Sequence, residues 1–265
     1  MAGAVITGAA SGIGRGLARE AASRGYRLVL ADRDADALAG VAAELPDALA
    51  VPTDVTDRDA VFALAEAAFD RLETVDLLFN NAGVMATGLS WEISAERWQQ
   101  SLDVNIGGIV HGLAAFVPRM IAAGTPSRII NTSSVGGFMP SPLMAPYSAT
   151  KFAALALTES LKAELDMIGA PVAVSLLAPG PVSSGIFDDP FGGRDIDAAT
   201  QGFVDTMREM VVENGMDADA FAVPVFEAIE RGEYWIIPQP EALDERLEAR
   251  NRMIASRTSP TFALD

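Results

Sequence analysis

The chain has 265 residues, of which 50% are hydrophobic and 21% are charged, and this composition predicts a folded chain with a large core. Its 36 acidic residues exceed its 19 basic ones and leave a formal net charge of −17, which argues against nucleic acid or an anionic membrane as a partner. The chain has no cysteine, which excludes disulfides and thiolate chemistry, and its one histidine, His111, is expected to pack rather than to bind, so no metal site is predicted.

The first residues, MAGAVITG, form an apolar run without a basic region or a cleavage site, so no signal peptide is expected. Charged residues or proline interrupt the apolar stretches before the ~20 residues that span a bilayer. We therefore expect a cytoplasmic protein without a membrane partner.

Short apolar runs alternate with longer, alanine-rich helical ones along the chain. The predicted strands are residues 4–6, 28–30, 49–51, 76–79, 128–130, 172–177 and 234–237. The predicted helices are residues 12–24, 34–45, 58–71, 95–123, 147–168 and 241–253. Both faces of the strands are apolar, which is typical of a parallel sheet between two layers of helices. The sequence therefore predicts one α/β domain over residues 1–265, a doubly wound (Rossmann) parallel sheet with ligands at the carboxyl ends of its strands.

Residues 183–219 interrupt this alternation with proline, glycine and clustered acids. The segment is either a surface excursion or a substrate flap, and we favour the flap because long irregular insertions in compact domains are usually functional or disordered. Its methionines, Met207, Met210 and Met216, fit a core or a pliable pocket equally well. Trp91 and Trp98 are expected to anchor the core or an interface.

The turn Thr7–Gly14, between the first strand and the first helix, has the spacing G-x-x-x-G-x-G. Glycines there let the backbone approach a pyrophosphate at the helix N-terminus, although a tight structural turn is an alternative. Asp32, at the end of the second strand, could accept hydrogen bonds from an adenosine ribose and repel a 2′-phosphate, which favours NAD. Its neighbour Arg33 could instead bind that phosphate, so NADP is the less favoured alternative. A purely structural alternative is that these charged residues form a solvated turn without a ligand.

Tyr147 and Lys151 lie four residues apart, on one face of a predicted helix. A phenol with a pKa near 10 is a poor base at neutral pH unless a cation stabilises its ionised form, and Lys151 could supply that cation. Such pairs are common on exposed helices, so this pair by itself indicates little.

Further motifs follow the same order along the chain. They are Asn80-Asn81-Ala82-Gly83 after the fourth strand, Asn105 in the long helix, Ser134 thirteen positions before Tyr147, and Pro179-Gly180-Pro181-Val182 after the sixth strand. With the glycine turn and the Tyr147–Lys151 pair, they resemble the short-chain dehydrogenase/reductase family over about residues 3–184. The resemblance implies an NAD(P)-dependent oxidoreductase, an alcohol dehydrogenase or carbonyl reductase that acts on CH–OH groups.

The resemblance also implies a role for each matching residue. Tyr147 would be the general acid and base, and Lys151 would lower its pKa and hold the nicotinamide ribose. Ser134, rather than the adjacent Ser133, would polarise the substrate oxygen, and Asn105 would anchor a chain of waters. The implied cofactor contacts are Gly8, Ser11, Gly12, Ile13, Gly14, Asp32, Arg33, Asp54, Val55, Asn81, Ala82, Gly83, Tyr147, Lys151, Pro179, Gly180, Val182 and Ser184.

The residues expected around Ser134 and Tyr147 are apolar or aromatic, which favours a hydrophobic secondary alcohol or ketone as the substrate. They are residues 136–139, Leu143, Met144, Ile186, Phe187, Phe191 and Phe203. Short stretches at 116–121, 136–139 and 235–238 are similar to those of bacterial aryl-alcohol dehydrogenases of the same family and point to bulky or aryl substrates.

Family members form dimers or tetramers through their two long helices, so the resemblance implies a homo-oligomer, a dimer or a homotetramer. Outside the enzymes, the alternative is a catalytically idle protein that senses the dinucleotide or binds a partner. The presence of Ser134, Tyr147 and Lys151 together argues against that alternative.

Overall fold

A computed structural model describes residues 2–187 and 198–261 of the chain. Its strands are β1 Gly3–Thr7, β2 Arg27–Asp32, β3 Ala48–Pro52, β4 Leu77–Asn80, β5 Ser127–Thr132, β6 Val172–Leu177 and β7 Trp235–Ile236. Its α-helices are α1 Gly12–Ser23, α2 Ala35–Glu44, α3 Arg58–Leu72, α4 Ala95–Leu102, α5 Gly108–Ala123, α6 Ala145–Met167, α7 Ala198–Asn214, α8 Ala218–Glu230 and α9 Asp244–Ser256. Strands and helices thus alternate as the hydrophobic pattern predicted.

The seven strands form one parallel sheet in the order β3-β2-β1-β4-β5-β6-β7. From β1 the chain moves outward through β2 and β3, then crosses back to place β4 on the other side of β1. A crevice forms at the carboxyl ends of the strands where the winding reverses, and ligands bind there in open α/β sheets. The doubly wound Rossmann sheet predicted from the sequence is therefore confirmed.

Two apolar layers, one on each face of the sheet, hold it between the helices. On one face, Phe79 of β4 packs against Phe226 of α8, with 5.7 Å between ring centroids. On the other face, Phe116 and Met120 of α5 are buried against Leu78 and Phe69. Because both faces are covered, the strands are apolar on both sides, and this explains their short continuous hydrophobic runs.

The helix predicted at 95–123 is a continuous helical stretch with a π-helical turn, Asp103–Gly107, between α4 and α5. By length and composition its 29 residues, Ala95–Ala123, would suffice to cross a membrane, so the expectation that no stretch is long and apolar enough was wrong. Core helices of globular proteins also have this composition, and here Phe116 and Met120 lie in the core beneath the sheet.

The C-terminal elements and Trp91 depart from the predictions. Strand β7 has two residues rather than four, and α9 begins at Asp244 rather than 241 because Pro240–Ala242 forms a 3₁₀ turn before it. Trp91 is 78% exposed and is not a core residue, because it lies in an irregular turn before α4. An interface role for Trp91 stays a prediction.

The segment predicted as a flap, 183–219, is described at 183–187 and from 198 onward. Helix α7 occupies residues 198–214, so the described part of the segment is more regular than its composition indicated. The predicted pocket residue Phe191 and the acidic residues at 188, 189, 195 and 197 lie outside the described residues. Movement of the segment stays a prediction.

Candidate active site

A cleft of about 1500 Å³ opens at the carboxyl ends of the central strands. The predicted cofactor contacts and the predicted catalytic residues Ser134, Tyr147 and Lys151 all line it. Asn105 does not line the cleft but is buried behind its wall. Residues that are far apart in the sequence are thus brought together because parallel strands end at the same edge of a sheet.

The glycine turn packs its backbone tightly at the start of α1, where a side chain would clash with neighbouring protein atoms. A Cβ atom on Gly12, whose φ is +47°, would lie 2.9 Å from the Cβ of Ser184, and one on Gly14 would lie 2.0 Å from the carbonyl oxygen of Gly8. Side chains of Asp34 and Asp57 cap α2 and α3, but Ser11 makes no capping hydrogen bond to α1, whose first turn has no acidic residue. The first N–H groups of α1 therefore face the cleft uncapped, which fits a pyrophosphate.

Asp32 lies at the end of β2 with both carboxylate oxygens fixed by the backbone. One accepts a hydrogen bond from the N–H of Ala10 at 3.1 Å, and the other accepts from the N–H of Asp34 at 3.1 Å. Arg33 is exposed at the rim of the same cleft and makes no hydrogen bond or ion pair within the described residues. The site thus presents a fixed negative charge beside a cation that can move.

The next wall of the cleft, Asp54–Val55, is held by three hydrogen bonds. The Asp54 carboxylate accepts from both the N–H and the hydroxyl of Thr56, at 2.9 and 2.8 Å. The Nδ1 atom of His111 lies 2.9 Å from the carbonyl oxygen of Val55, so His111 donates to this wall from α5. His111 is therefore a hydrogen-bonded packing residue, as expected.

Thr7, which the sequence analysis did not single out as a separate residue, ties the glycine turn to the segment after β4. Its hydroxyl accepts from the N–H groups of Asn81 and Ala82, at 2.9 and 3.1 Å, and donates to the carbonyl of Phe79. The side chain of Asn81 returns a hydrogen bond to the Thr7 carbonyl at 3.0 Å. These hydrogen bonds therefore join the glycine turn directly to the segment after β4.

Asn105 lies in the π-helical turn and holds the wall from behind. Its side chain accepts from the N–H of Val84 at 2.8 Å and donates to the Val84 carbonyl at 3.0 Å and to the Thr150 hydroxyl at 2.9 Å. A Cβ on Gly83 would lie 3.4 Å from the Oδ1 atom of Asn105 and 3.5 Å from the Nζ atom of Lys151. Asn105 therefore links the segment after β4 to helix α6, and the predicted water chain stays a prediction.

Ser134, Tyr147 and Lys151 form a compact group at the centre of the cleft. Tyr147 and Lys151 are almost fully buried on one face of α6, and the Tyr147 and Ser134 hydroxyls share a hydrogen bond. The Nζ atom of Lys151 lies 5.6 Å from the centroid of the Tyr147 ring and donates to the carbonyl oxygen of Thr132 at 3.0 Å. The group therefore contains two hydroxyls and one amine, and none of the contacts just described is to a carboxylate.

Burial is the main cause of the pKa shifts of Tyr147 and Lys151. It raises the pKa of the Tyr147 phenol above its ordinary value, and the hydrogen bond with Ser134 opposes that rise. Burial also lowers the pKa of the Lys151 ammonium from 10.5 to about 8. The Lys151 ammonium is turned toward the Thr132 carbonyl, and the lowering of the Tyr147 pKa by Lys151 stays a prediction.

Apolar side chains surround the catalytic hydroxyls. Met85 and Met144 are buried against Tyr147, and Ile186 and Phe203 pack on the same cluster. Gly136, Met207 and Val211 add to this part of the lining. Of the other predicted lining residues, Phe138 instead packs on Trp235, with 5.8 Å between ring centroids, and Gly137, Met139 and Leu143 do not border the cleft.

Known proteins share both this sequence and this fold. A family model described as short chain dehydrogenase matches residues 2–191. The chain belongs to the short-chain dehydrogenase family. It is 38% identical over 245 residues to the 1-deoxy-11-beta-hydroxypentalenate dehydrogenase of Streptomyces avermitilis, covering 90% of this chain and 85% of that one.

Two solved short-chain dehydrogenases have the same fold and different nucleotides. One from Burkholderia phymatum, in complex with NAD, has a TM-score of 0.94 and 36% identity, and the match covers 100% of this chain and 98% of that one. One from Sphingobium yanoikuyae, in complex with NADPH, has a TM-score of 0.77 and 29% identity, covering 100% and 99%. This short-chain dehydrogenase is therefore an oxidoreductase that acts on CH–OH groups of small molecules and binds a nicotinamide dinucleotide.

Sequence reasoning missed several residues of this short-chain dehydrogenase site. Met85 follows the Asn81–Gly83 motif but carries no signal of its own, and Thr132 contributes only its carbonyl oxygen. Gln239 follows β7 and reaches the segment after β6. Of the three methionines left undecided, Met207 lines the cleft, Met216 packs against the core, and the side chain of Met210 lies outside the described part.

Proposed function

We propose that the protein is an NAD-dependent dehydrogenase that interconverts a hydrophobic secondary alcohol and its ketone. The observation that carries this proposal is that the Ser134 and Tyr147 hydroxyls and the Lys151 amine share one cleft with the glycine turn of α1. When bound, the nicotinamide ring supplies or accepts the hydride. The protein must then orient the reactants, bind the substrate oxygen and move one proton.

Tyr147 is the proposed general acid and base. Because burial keeps its phenol protonated at neutral pH, it can give a proton to the carbonyl oxygen during reduction and take it back during oxidation. Ser134 donates a hydrogen bond to the same oxygen, and Lys151 below its pKa of about 8 adds a positive charge beside Tyr147. Apolar walls exclude water, which strengthens both interactions.

The nature of the lining supports a hydrophobic substrate. Met85, Met144, Ile186 and Phe203 present apolar surface next to Tyr147, and methionine adapts to irregular or aryl shapes. Asp32 supports NAD, because its carboxylate would repel a 2′-phosphate. The exposed Arg33 favours a second candidate, an NADP-dependent carbonyl reductase.

Titration of the purified protein with NADH and NADPH tests the cofactor, with nucleotide fluorescence as the signal. We expect NADH to bind at least tenfold more tightly. Turnover of NAD with aryl and aliphatic secondary alcohols then tests the substrate class. Binding of neither nucleotide would reject the proposed activity, whereas tighter binding of NADPH would favour the carbonyl reductase. Nucleotide binding without any turnover would favour a sensor.

A further inference from the structure

Gln239 lies outside the region that the family model matches, and its side chain is turned into the cleft wall. The residue is only 4% exposed. Its Oε1 atom accepts a hydrogen bond from the N–H of Gly180 at 3.1 Å, and its Nε2 atom donates to the carbonyl oxygen of Pro181 at 2.8 Å. One side-chain amide thus holds two consecutive residues of the loop after β6.

The backbone around Gln239 is stiff. It stands between Pro238 and Pro240, and proline fixes its own φ and restricts the residue before it. Its carbonyl accepts from the N–H of Ala242 at 3.1 Å, which closes the 3₁₀ turn. Strand β7 pairs with β6, and the N–H of Ala178 donates to the carbonyl of Ile236 at 2.9 Å. The amide is therefore presented from a fixed position.

The loop that Gln239 holds borders the catalytic group. The carbonyl of Pro179 accepts from the N–H of Val135 at 3.0 Å and lies 3.4 Å from the Ser134 hydroxyl, which donates to it. The carbonyl of Pro181 also accepts from the N–H of Met216 at 3.0 Å. Gly180 lies between these two anchored peptides, and a Cβ there would lie 3.0 Å from the Oε1 atom of Gln239.

We propose that Gln239 is a positioning residue that holds Gly180 and Pro181 against the nicotinamide half of the bound dinucleotide. This inference rests on the proposed function, because it assigns the loop to the end of the cleft that contains Ser134 and Tyr147. Asp32 and Val55, which would hold the adenine half, line the same cleft beyond the glycine turn. Gln239 therefore acts on one half of the ligand and not on the other.

The test compares two ligands that differ in the nicotinamide ring. We expect Gln239→Leu to bind NADH about tenfold more weakly than the wild type, since both hydrogen bonds from this side chain to the loop are lost. Its affinity for ADP-ribose should stay within about twofold of the wild-type value. The exchange rate of the Gly180 amide hydrogen should rise in the same variant without any ligand. Ser175→Ala is the matched control, because Ser175 is buried and bonds to Arg128 and Glu233 away from the cleft. It should change neither affinity.

A second variant serves if Gln239→Leu does not fold. Gln239→Glu keeps an acceptor for Gly180, but its ionised carboxylate would repel the carbonyl of Pro181. Protonation of that carboxylate restores a donor, and burial raises its pKa, so the NADH affinity of the variant should approach the wild-type value as pH falls through that pKa. A purely structural role predicts no such recovery.

The outcomes separate the two proposals. Equal loss of NADH and ADP-ribose affinity, or no loss of either, overturns the role of Gln239 and leaves the proposed function intact. Failure of the wild-type protein to bind NADH and NADPH rejects the proposed function and the positioning role together. Weak NADH binding with unchanged ADP-ribose binding and faster Gly180 exchange supports the positioning role.

Discussion

The hydroxyl of Ser133 donates a hydrogen bond of 2.8 Å to the main-chain carbonyl oxygen of Lys151. This bond ties the end of β5 to helix α6, and a Cβ on Gly137 would lie 2.2 Å from the same Ser133 oxygen. Ser134, one residue on, donates its hydroxyl to the carbonyl oxygen of Pro179 and lines the cleft together with Tyr147. Two adjacent serines therefore have different surroundings, one inside the scaffold and one in the cleft.

Alanine substitution should separate these two serines. Ser134→Ala should lower kcat/KM about 100-fold, because it removes a hydrogen-bond donor to the substrate oxygen, while leaving the melting temperature nearly unchanged. Ser133→Ala should lower the free energy of unfolding by about 1 kcal/mol and kcat/KM only a few-fold. Steady-state kinetics and thermal unfolding measure both, and the reverse pattern would show that the serines were assigned in the wrong order.

Removing the phenol should remove the proton transfer and leave the dinucleotide site. We expect Tyr147→Phe to lower turnover by about 1000-fold, with the NADH dissociation constant within about twofold of the wild-type value. In the wild type, the rate of alcohol oxidation should rise with pH, because the base that takes the proton from the alcohol is the ionised phenol of Tyr147. Burial raises the pKa of that phenol. A variant with a tenth of the wild-type rate or more would contradict this role.

The buried lysine should make stability depend on pH. Its pKa is about 8 in the folded chain and about 10.4 when unfolded, so between these values the unfolded chain holds a proton that the folded chain has released. Stability from this group therefore rises with pH in that window. The free energy of unfolding of the wild type relative to Lys151→Met should rise by about 2 kcal/mol from pH 8 to pH 10.

Lys162 provides the control for that measurement, because the chain has only these two lysines. Lys162 is exposed and paired with Asp166 on the surface of α6. Relative to Lys162→Met, the wild type should show no comparable rise over the same pH range. Equal slopes for the two variants would show that Lys151 does not titrate in this window.

Neutralising Asp32 should weaken the discrimination between nucleotides. Asp32→Asn keeps an oxygen that can accept from a backbone N–H but removes the charge, so NADPH should bind about tenfold more tightly than to the wild type and NADH slightly more weakly. Arg33→Leu in the same background should abolish the gain if the guanidinium binds the 2′-phosphate. An unchanged NADH-to-NADPH ratio in Asp32→Asn would show that another residue sets the preference.

The parts of the site that depend on local pattern could be predicted from the sequence. The glycine turn, the segment after β4 and the Tyr147–Lys151 pair each lie within a few residues of a strand or helix end. Once the strands are known to be parallel, their carboxyl ends must meet. For this reason the predicted cofactor contacts line one cleft together with Ser134, Tyr147 and Lys151.

The parts that depend on packing between distant segments could not be predicted. Gln239 reaches Gly180 only because β7 aligns with β6, and nothing in the stretch Pro-Gln-Pro indicates that partner. The raised pKa of Tyr147 depends on burial by Met85 and Met144, whereas the spacing to Lys151 by itself suggested the opposite direction. Trp91 has a residue type typical of cores, but the turn that carries it lies at the surface.

The π-helical turn Asp103–Gly107 contains one residue more than an α-helical turn. Each residue rotates a helix by ~100°, so this extra residue sets the angular phase between α4 and α5. Deleting one residue there would preserve a regular helix and yet turn one half by about a quarter of a revolution relative to the other. Either Phe116 of α5 or Ser101 of α4, both of which are buried, would lose its buried position, so a regular helix at this position is incompatible with burying both.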